Sequence, residues 1–272
     1  MTTIDQAAVS GGRRDALSGE RSAFIDRWIY VFTAALFVAV ILAGFIPDSM
    51  DMLADVKAGH RPPLPLVLHA HAVLMGGYLL VLLVQTWLVA TGRTARHRAL
   101  GLAGAAIAVA LIVVGFILVP TSYHTLFADA RAAPPPVKPK LLEVLGIVEN
   151  IMLLQLRTGF AFAILVALGL AARRTDPGLH KRMMILSIAA ALPAGFDRIT
   201  WIPNTMPASA TSADIYVLLA IAPLFLWDLF RNRAVHKAYW VALAVTGPLT
   251  IAVHTLWNTP VWHATAKRIM GV

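Results

Sequence analysis

Seven stretches of this chain are long and apolar enough to cross a bilayer as helices, at roughly 25–47, 64–91, 99–121, 144–172, 183–203, 213–230 and 239–257. A hydrocarbon core of about 30 Å takes about 20 apolar residues of helix. Punctuation supports the divisions. Pro62, Pro63 and Pro65 mark the start of the second run, Gly92 ends it, and Pro203 and Pro207 close the fifth. The chain is 58% hydrophobic and only 14% charged, with mean hydropathy +0.72, where soluble chains carry roughly a quarter charged residues. The expected fold class is therefore all-α: a polytopic transmembrane bundle of seven helices.

Basic residues orient it. Fourteen Lys and Arg fall on the side of the N-terminus and of the 92–98, 173–182 and 231–237 turns, against seven on the other side, with Arg157 and Arg198 inside the helical runs. Short cytoplasmic loops collect such residues, so the bias predicts N-in, C-out topology. The same rule accounts for the net charge of +9 without nucleic acid as a partner. The division expected is a flexible cytoplasmic tail over 1–23, a transmembrane domain over 24–257 and a short C-terminal tail over 258–272. The first apolar run starts too late and runs too long for a cleavable signal peptide. A bacterial cytoplasmic (inner) membrane is the expected home.

Three cytoplasmic turns share a loose pattern: GRTARHRALG, RRTDPGLHKRMM and RNRAVHKAYW. Each ends one helix with arginines and opens the next with His97-Arg98, His180-Lys181 or His236-Lys237. The layout predicts three antiparallel hairpins plus a first helix. The segment AAPPPVKPK on the opposite side should be extended and stiff.

Ionisable groups at membrane depth are costly, so each needs a partner or a task. His69 and His71, Glu149, Asn150, Arg157, Asp197, Arg198 and His254 all fall in the outer half or near mid-depth. Positions seven apart share a helix face. His71, Tyr78 and Gln85 form such a stripe, and His69 points away from it. Asn150 and Arg157 share a face, as do Asp197 and Trp201, and Thr246, Thr250 and His254. Plain packing explains much of this. An intramembrane histidine is often neutral and bonded to a neighbouring helix. Arg157 with Asp197, and Glu149 with Arg198, are candidate structural ion pairs. His97, His180 and His236 fit the headgroup level, and the tryptophans near helix ends fit aromatic belts.

The functional reading is haem b. A bundle holds it with two axial histidines on facing helices and with donors for the propionates. His71 with His254 and, nearer the cytoplasm, His97 with His180 are the candidate ligand pairs; Arg157 and Arg198 are the candidate propionate donors. Two rivals use overlapping residues. His71, His254, Glu149 and Asp197 could hold a zinc-like ion for hydrolysis, and Arg157 could meet an anionic transport substrate with the acids relaying protons, while Pro193, Gly195 and Pro203 would permit a broken fifth helix. The absence of cysteine excludes disulfides, thiolate zinc, iron–sulfur clusters and covalent haem attachment. No phosphate-cradling loop or nucleophile elbow is present.

His71, Gly76, Gln85, Arg93 and His97-Arg98, followed by Leu100-Gly101, resemble the helical hairpin of an uncharacterised family of bacterial multi-pass membrane proteins. That resemblance covers about 40 residues and implies a fold and a membrane location. His180-Lys181-Arg182-Met183-Met184 is similar, over fewer than ten residues, to a helix opening in cytochrome c oxidase assembly-factor membrane proteins. It implies a link to haem or copper biology. Seven helices and a basic N-terminal tail depart from both patterns. The leading expectation is a redox-associated protein binding haem b. The alternatives are a small-solute transporter, a structural or assembly subunit (with Gly101-x-x-Gly104 as a helix-packing face) and a zinc-dependent hydrolase. Expected partners are the lipid bilayer and another membrane subunit or redox protein.

Overall fold

A computed structural model describes residues 20–272, with side chains from residue 23. The tail expected over 1–23 thus lies mostly outside the described residues, and Glu20 to Ala23 already belong to the first helix. The described residues form helices and turns with no strand: α1 (Glu20–Lys57), α2 (Leu66–Ala90), α3 (Thr94–Ala132), α4 (Lys138–Ala172), α5 (Pro177–Ala189), α6 (Pro193–Phe196), α7 (Thr211–Asn232), α8 (Lys237–Leu256) and α9 (Pro260–Met270). Six of these (α1 to α4, α7 and α8) are long and apolar enough to cross a membrane. The protein is a multi-pass membrane protein on that ground.

The fifth expected helix is broken. Pro193 has no N–H to continue the ladder. Around it the backbone tightens into three-residue bonds, from Leu192 N to Ala189 O at 3.2 Å and from Gly195 N to Leu192 O at 2.9 Å. The Ala190 carbonyl, freed by the break, accepts from Thr158 Oγ1 on α4 at 3.0 Å. α5 and α6 still run the length of α1. Lys181 Nζ lies 4.6 Å from the Tyr30 ring centroid at one end. At the other, Arg198 Nε donates to Asp48 at 3.0 Å and its guanidinium stacks 4.4 Å over Phe45. Between these, Gly44 and Gly195 meet so closely that a Cβ on Gly44 would run into the Gly195 carbonyl.

α4 is the axial helix, packed against α3, α5, α8 and α9. Its burial explains why it carries Glu149, Asn150 and Arg157 without exposing them. The face of the bundle where α1 begins is called the near face below, and that where α1 ends the far face. Arg27 Nε bonds the Ala90 carbonyl, and Asp26 binds Trp227 Nε1 and Arg231, on the near face.

The C-terminal segment differs from a short tail. Thr259 caps α9 by accepting from Trp262 N at 3.2 Å, with Pro260 in the first turn. Its apolar face buries Trp262, Ala266 and Met270 against Tyr123, Leu145 and Met152. An 11-residue amphipathic helix among longer apolar runs is easily overlooked in the sequence.

Candidate functional site

Polar side chains gather in three places. The first is the far face. Arg157 Nη1 pairs with Asp214 at 2.7 Å and donates to Thr250 at 3.3 Å. Asp214 is also bonded by His254 Nε2 at 2.8 Å. Glu149 is buried. It accepts from Tyr123 at 3.1 Å and pairs with His263 at 2.5 Å, and its backbone carbonyl accepts from Trp262 Nε1 at 2.6 Å. Asn150 Oδ1 accepts from Asn258 N at 2.9 Å. Glu149 and Asn150 thereby clamp the α8–α9 corner to α4.

These contacts correct the expected ion pairs. Arg157 pairs with Asp214, not Asp197; Arg198 pairs with Asp48, and Glu149 with His263. Asp197 is half-buried beyond the end of α6, and Trp201 is exposed in the following turn, so the two do not share a helix face. The shared faces of Asn150 with Arg157 and of Thr250 with His254 are present. Asp214, which answers Arg157, escaped notice because its residues between 213 and 230 read as one apolar run.

The second place is the near face. Arg182 and Asp228 form a two-pronged pair, Nε to Oδ2 at 2.6 Å and Nη2 to Oδ1 at 2.5 Å. Tyr239 donates to the same carboxylate at 2.6 Å, and the third arm of Arg182 reaches the Gly178 carbonyl at 2.9 Å. Nearby turns are tied together as Asp176 caps α5 through Leu179 N at 2.9 Å and pairs with Lys237 at 2.5 Å. That hydrogen bond from Lys237, then the one from Leu179, hold the Asp176 carboxyl below its ordinary value. His236 caps α8, its Nδ1 accepting from Ala238 N at 3.1 Å. Burial, then the positive charge of Arg182, keep its pKa below the ordinary value. An accepting cap needs that neutral ring.

The third place joins the remaining histidines. His97 on α3 and His180 on α5 face each other with ring centroids 6.4 Å apart and planes at 73°. His180 Nδ1 donates to the Gly169 carbonyl at 2.8 Å, which leaves Nε2 as the ring's lone-pair nitrogen. His97 Nδ1 and Gln85 Oε1 are buried with no protein partner. Gln85 lies against Gly101 of α3. The three turn histidines thus divide by position: His97 and His180 fall in the first turn of their helices and converge, whereas His236 precedes its helix and caps it.

The pair His71 and His254 is not brought together. α2 packs against α3, α1 and α5, and α8 against α4 and α5. His71 is half-buried, His69 is exposed, and His254 is engaged by Asp214. Arg157 and Arg198 are likewise committed on the far face, distant from the converging histidines. No group of three His, Asp or Glu able to hold a metal ion occurs among the described residues, so His71, His254, Glu149 and Asp197 do not form the zinc-like centre. A concavity of about 390 Å³ opens at Gly92–Arg96, and none of the histidines lines it. Gly104 is buried against Val81; with Gly101 it closes the α2–α3 hairpin rather than offering a face to another subunit. No protein family, curated protein or solved structure matches this chain.

Proposed function

We propose that this membrane protein is redox-associated and binds haem b between His97 and His180. The carrying observation is that two histidines, in the first turns of α3 and α5, converge at the near end of the bundle, one with its tautomer fixed by a backbone carbonyl. Imidazoles that ligate a metal commonly donate their other ring N–H in this way. His97 and His180, their rings 6.4 Å apart between centroids, would be the residues that hold the iron. Haem held there would supply one-electron transfer, while His97 and His180 would fix its position and its potential. The partial likeness of the His180–Met184 segment to oxidase assembly factors points the same way. We further propose seven crossings, with α5 and α6 together as the fifth, and an N-in, C-out orientation in a bacterial cytoplasmic membrane. Another membrane subunit or redox protein would then be the electron partner.

The test is an optical spectrum of the purified protein, oxidised and then dithionite-reduced. A shifted Soret band with split visible bands is expected, lost in His97→Ala and His180→Ala and kept in His71→Ala and His254→Ala. A featureless spectrum from folded protein made in haem-replete cells would sink the reading. Topology is tested by single-cysteine labelling, since the chain has no cysteine of its own. Ala95→Cys and Ala133→Cys should label from opposite sides, Ala95→Cys from the cytoplasm. A transporter is the second reading, favoured by the chain from Arg157 through Asp214 to His254, which is partly exposed on the far face.

A further inference from the structure

Acidic residues are missing from a whole hairpin. Between Asp55 and Asp129 the sequence holds no Asp or Glu, so α2, the turn after it and all but the last turn of α3 carry no negative side chain. That turn and the start of α3 hold Arg93, Arg96 and Arg98, all exposed. None of the three has an acidic partner among the described residues, whereas elsewhere on the near face Arg182 pairs with Asp228, Arg231 with Asp26 and Lys237 with Asp176. Arg27 of α1 adds a further charge beside the turn, its Nε donating to the Ala90 carbonyl. Loop orientation by basic residues accounts for arginines in all the near-face turns. It does not account for one turn left without counter-charge.

The backbone shapes the place. Gly92 follows α2 in the left-handed region at φ +73°, and Arg93 N returns to the Leu88 carbonyl at 2.8 Å. The chain doubles back, and the Arg93 guanidinium stacks 4.5 Å from the Trp87 ring centroid. Stacking engages the face of a guanidinium and leaves its edge N–H groups to donate. Gly92 to Arg96 line the concavity of about 390 Å³, within the size range of small-ligand sites, and Arg93 and Arg96 are its charged residues. Apolar side chains lead to the same spot. Val73, Leu80, Val84 and Trp87 are exposed, and their spacing puts them on one outward face of α2. Leu80 to Trp87 covers about 10.5 Å of helix, most of one leaflet's share of a hydrocarbon core about 30 Å thick.

We propose that the α2–α3 turn binds an anionic phosphoglycerol lipid, its phosphate held by Arg93 and Arg96 and its acyl chains lying on the α2 stripe. Guanidinium groups take phosphate oxygens through paired N–H donors. The acid-free surroundings leave nothing to receive the ammonium of a zwitterionic lipid, which sets the headgroup class. The apolar stripe that ends at Trp87 sets the source as a lipid rather than free phosphate. Neither His97 nor His180 lines the concavity, so the site stands apart from the haem reading.

Native mass spectrometry of the detergent-purified full chain tests this, with dioleoyl phosphatidylglycerol or dioleoyl phosphatidylcholine titrated in. The two lipids share acyl chains, so a difference reports the headgroup. Half-occupancy of the first lipid adduct should need about five-fold less phosphatidylglycerol, or less still, since each basic group near a membrane surface contributes roughly that factor. Arg93→Gln with Arg96→Gln should erase the preference. Arg173→Gln with Arg174→Gln removes the same charge from exposed positions of another near-face turn and should keep it. A large excess of glycerol phosphate should leave the lipid in place. Arg93 and Arg96 are exposed and contact no acid, so the double variant is expected to fold; matched gel-filtration profiles check this. Equal affinity for the two lipids would overturn the assignment, as would a preference that survives the first double substitution or is erased equally by the second. Displacement by glycerol phosphate would overturn it too, and would mark a free-phosphate site.

Discussion

Arg182 and Asp228 are buried at the near end of the bundle, and so is the carboxamide oxygen of Gln85, yet the two regions treat polar atoms in opposite ways. Around Asp228 the two-pronged contact with Arg182 is joined by Tyr239, and the last arm of Arg182 reaches Gly178. Along α2 the Tyr78 hydroxyl and the Gln85 oxygen have no protein partner. The first arrangement locks α5, α7 and α8 together. The second leaves hydrogen-bonding capacity open along the bundle interior. Burial alone therefore does not separate a satisfied polar group from an open one.

The largest effect should come from breaking the satisfied region. Asp228→Ala strands a buried guanidinium and should cost about 3–5 kcal/mol, whereas replacing both partners by apolar residues, Arg182→Met with Asp228→Leu, should recover much of that loss. Denaturant unfolding in detergent measures both. Next comes the α1–α6 crossing. Gly44→Ala drives a methyl into backbone and should destabilise by about 1–3 kcal/mol. Gly76, with nothing within 4 Å of an added Cβ, should tolerate Ala and gain up to about 1 kcal/mol.

The α9 clamp is intermediate. Glu149→Gln weakens the contact to His263 and should cost about 1–2 kcal/mol, near the upper end for polar contacts between membrane helices. Faster proteolysis at the α8–α9 corner and a change in Trp262 emission would report it. For the open region the expectation reverses: Tyr78→Phe and Gln85→Leu should stay within about 1 kcal/mol of the parent stability, in either direction, because no protein hydrogen bond is lost. A large loss of stability in either would show that the atom is satisfied after all.

The smallest effect is the acid response of the helix caps. His236 and Asp176 both have folded pKa values below their ordinary ones. Each therefore adds stability that is full above its ordinary pKa and fades as pH falls through the folded value. Loosening of the α8 cap should begin below about pH 6.5, the ordinary histidine value, and that of the α5 cap below about pH 3.9. A melting series from pH 8 to pH 4 should decline slightly across the first window, and His236→Asn should flatten that decline.

Apolar run length by itself marked the six helices long enough to cross a membrane, though not the break at Pro193 or α9, because a helix in lipid closes its own backbone hydrogen bonds and its length is set by bilayer thickness. Heptad spacing likewise placed His71, Tyr78 and Gln85 on one face, since that depends only on the helical repeat. The turn pattern drew attention to His97 and His180. What the tertiary structure alone decided is which groups meet. Arg157 chose Asp214 over Asp197 because α4 packs beside α8 and near α7, while Pro193 ends α5 before Asp197 can be presented on a regular helix. Glu149 found His263 because the last eleven residues of helix fold back onto α4. His71 and His254 matched in depth, but their helices stand apart in the bundle. Depth follows from position along a helix. Adjacency is set by close packing around α4, which depends on side-chain fit across the whole bundle.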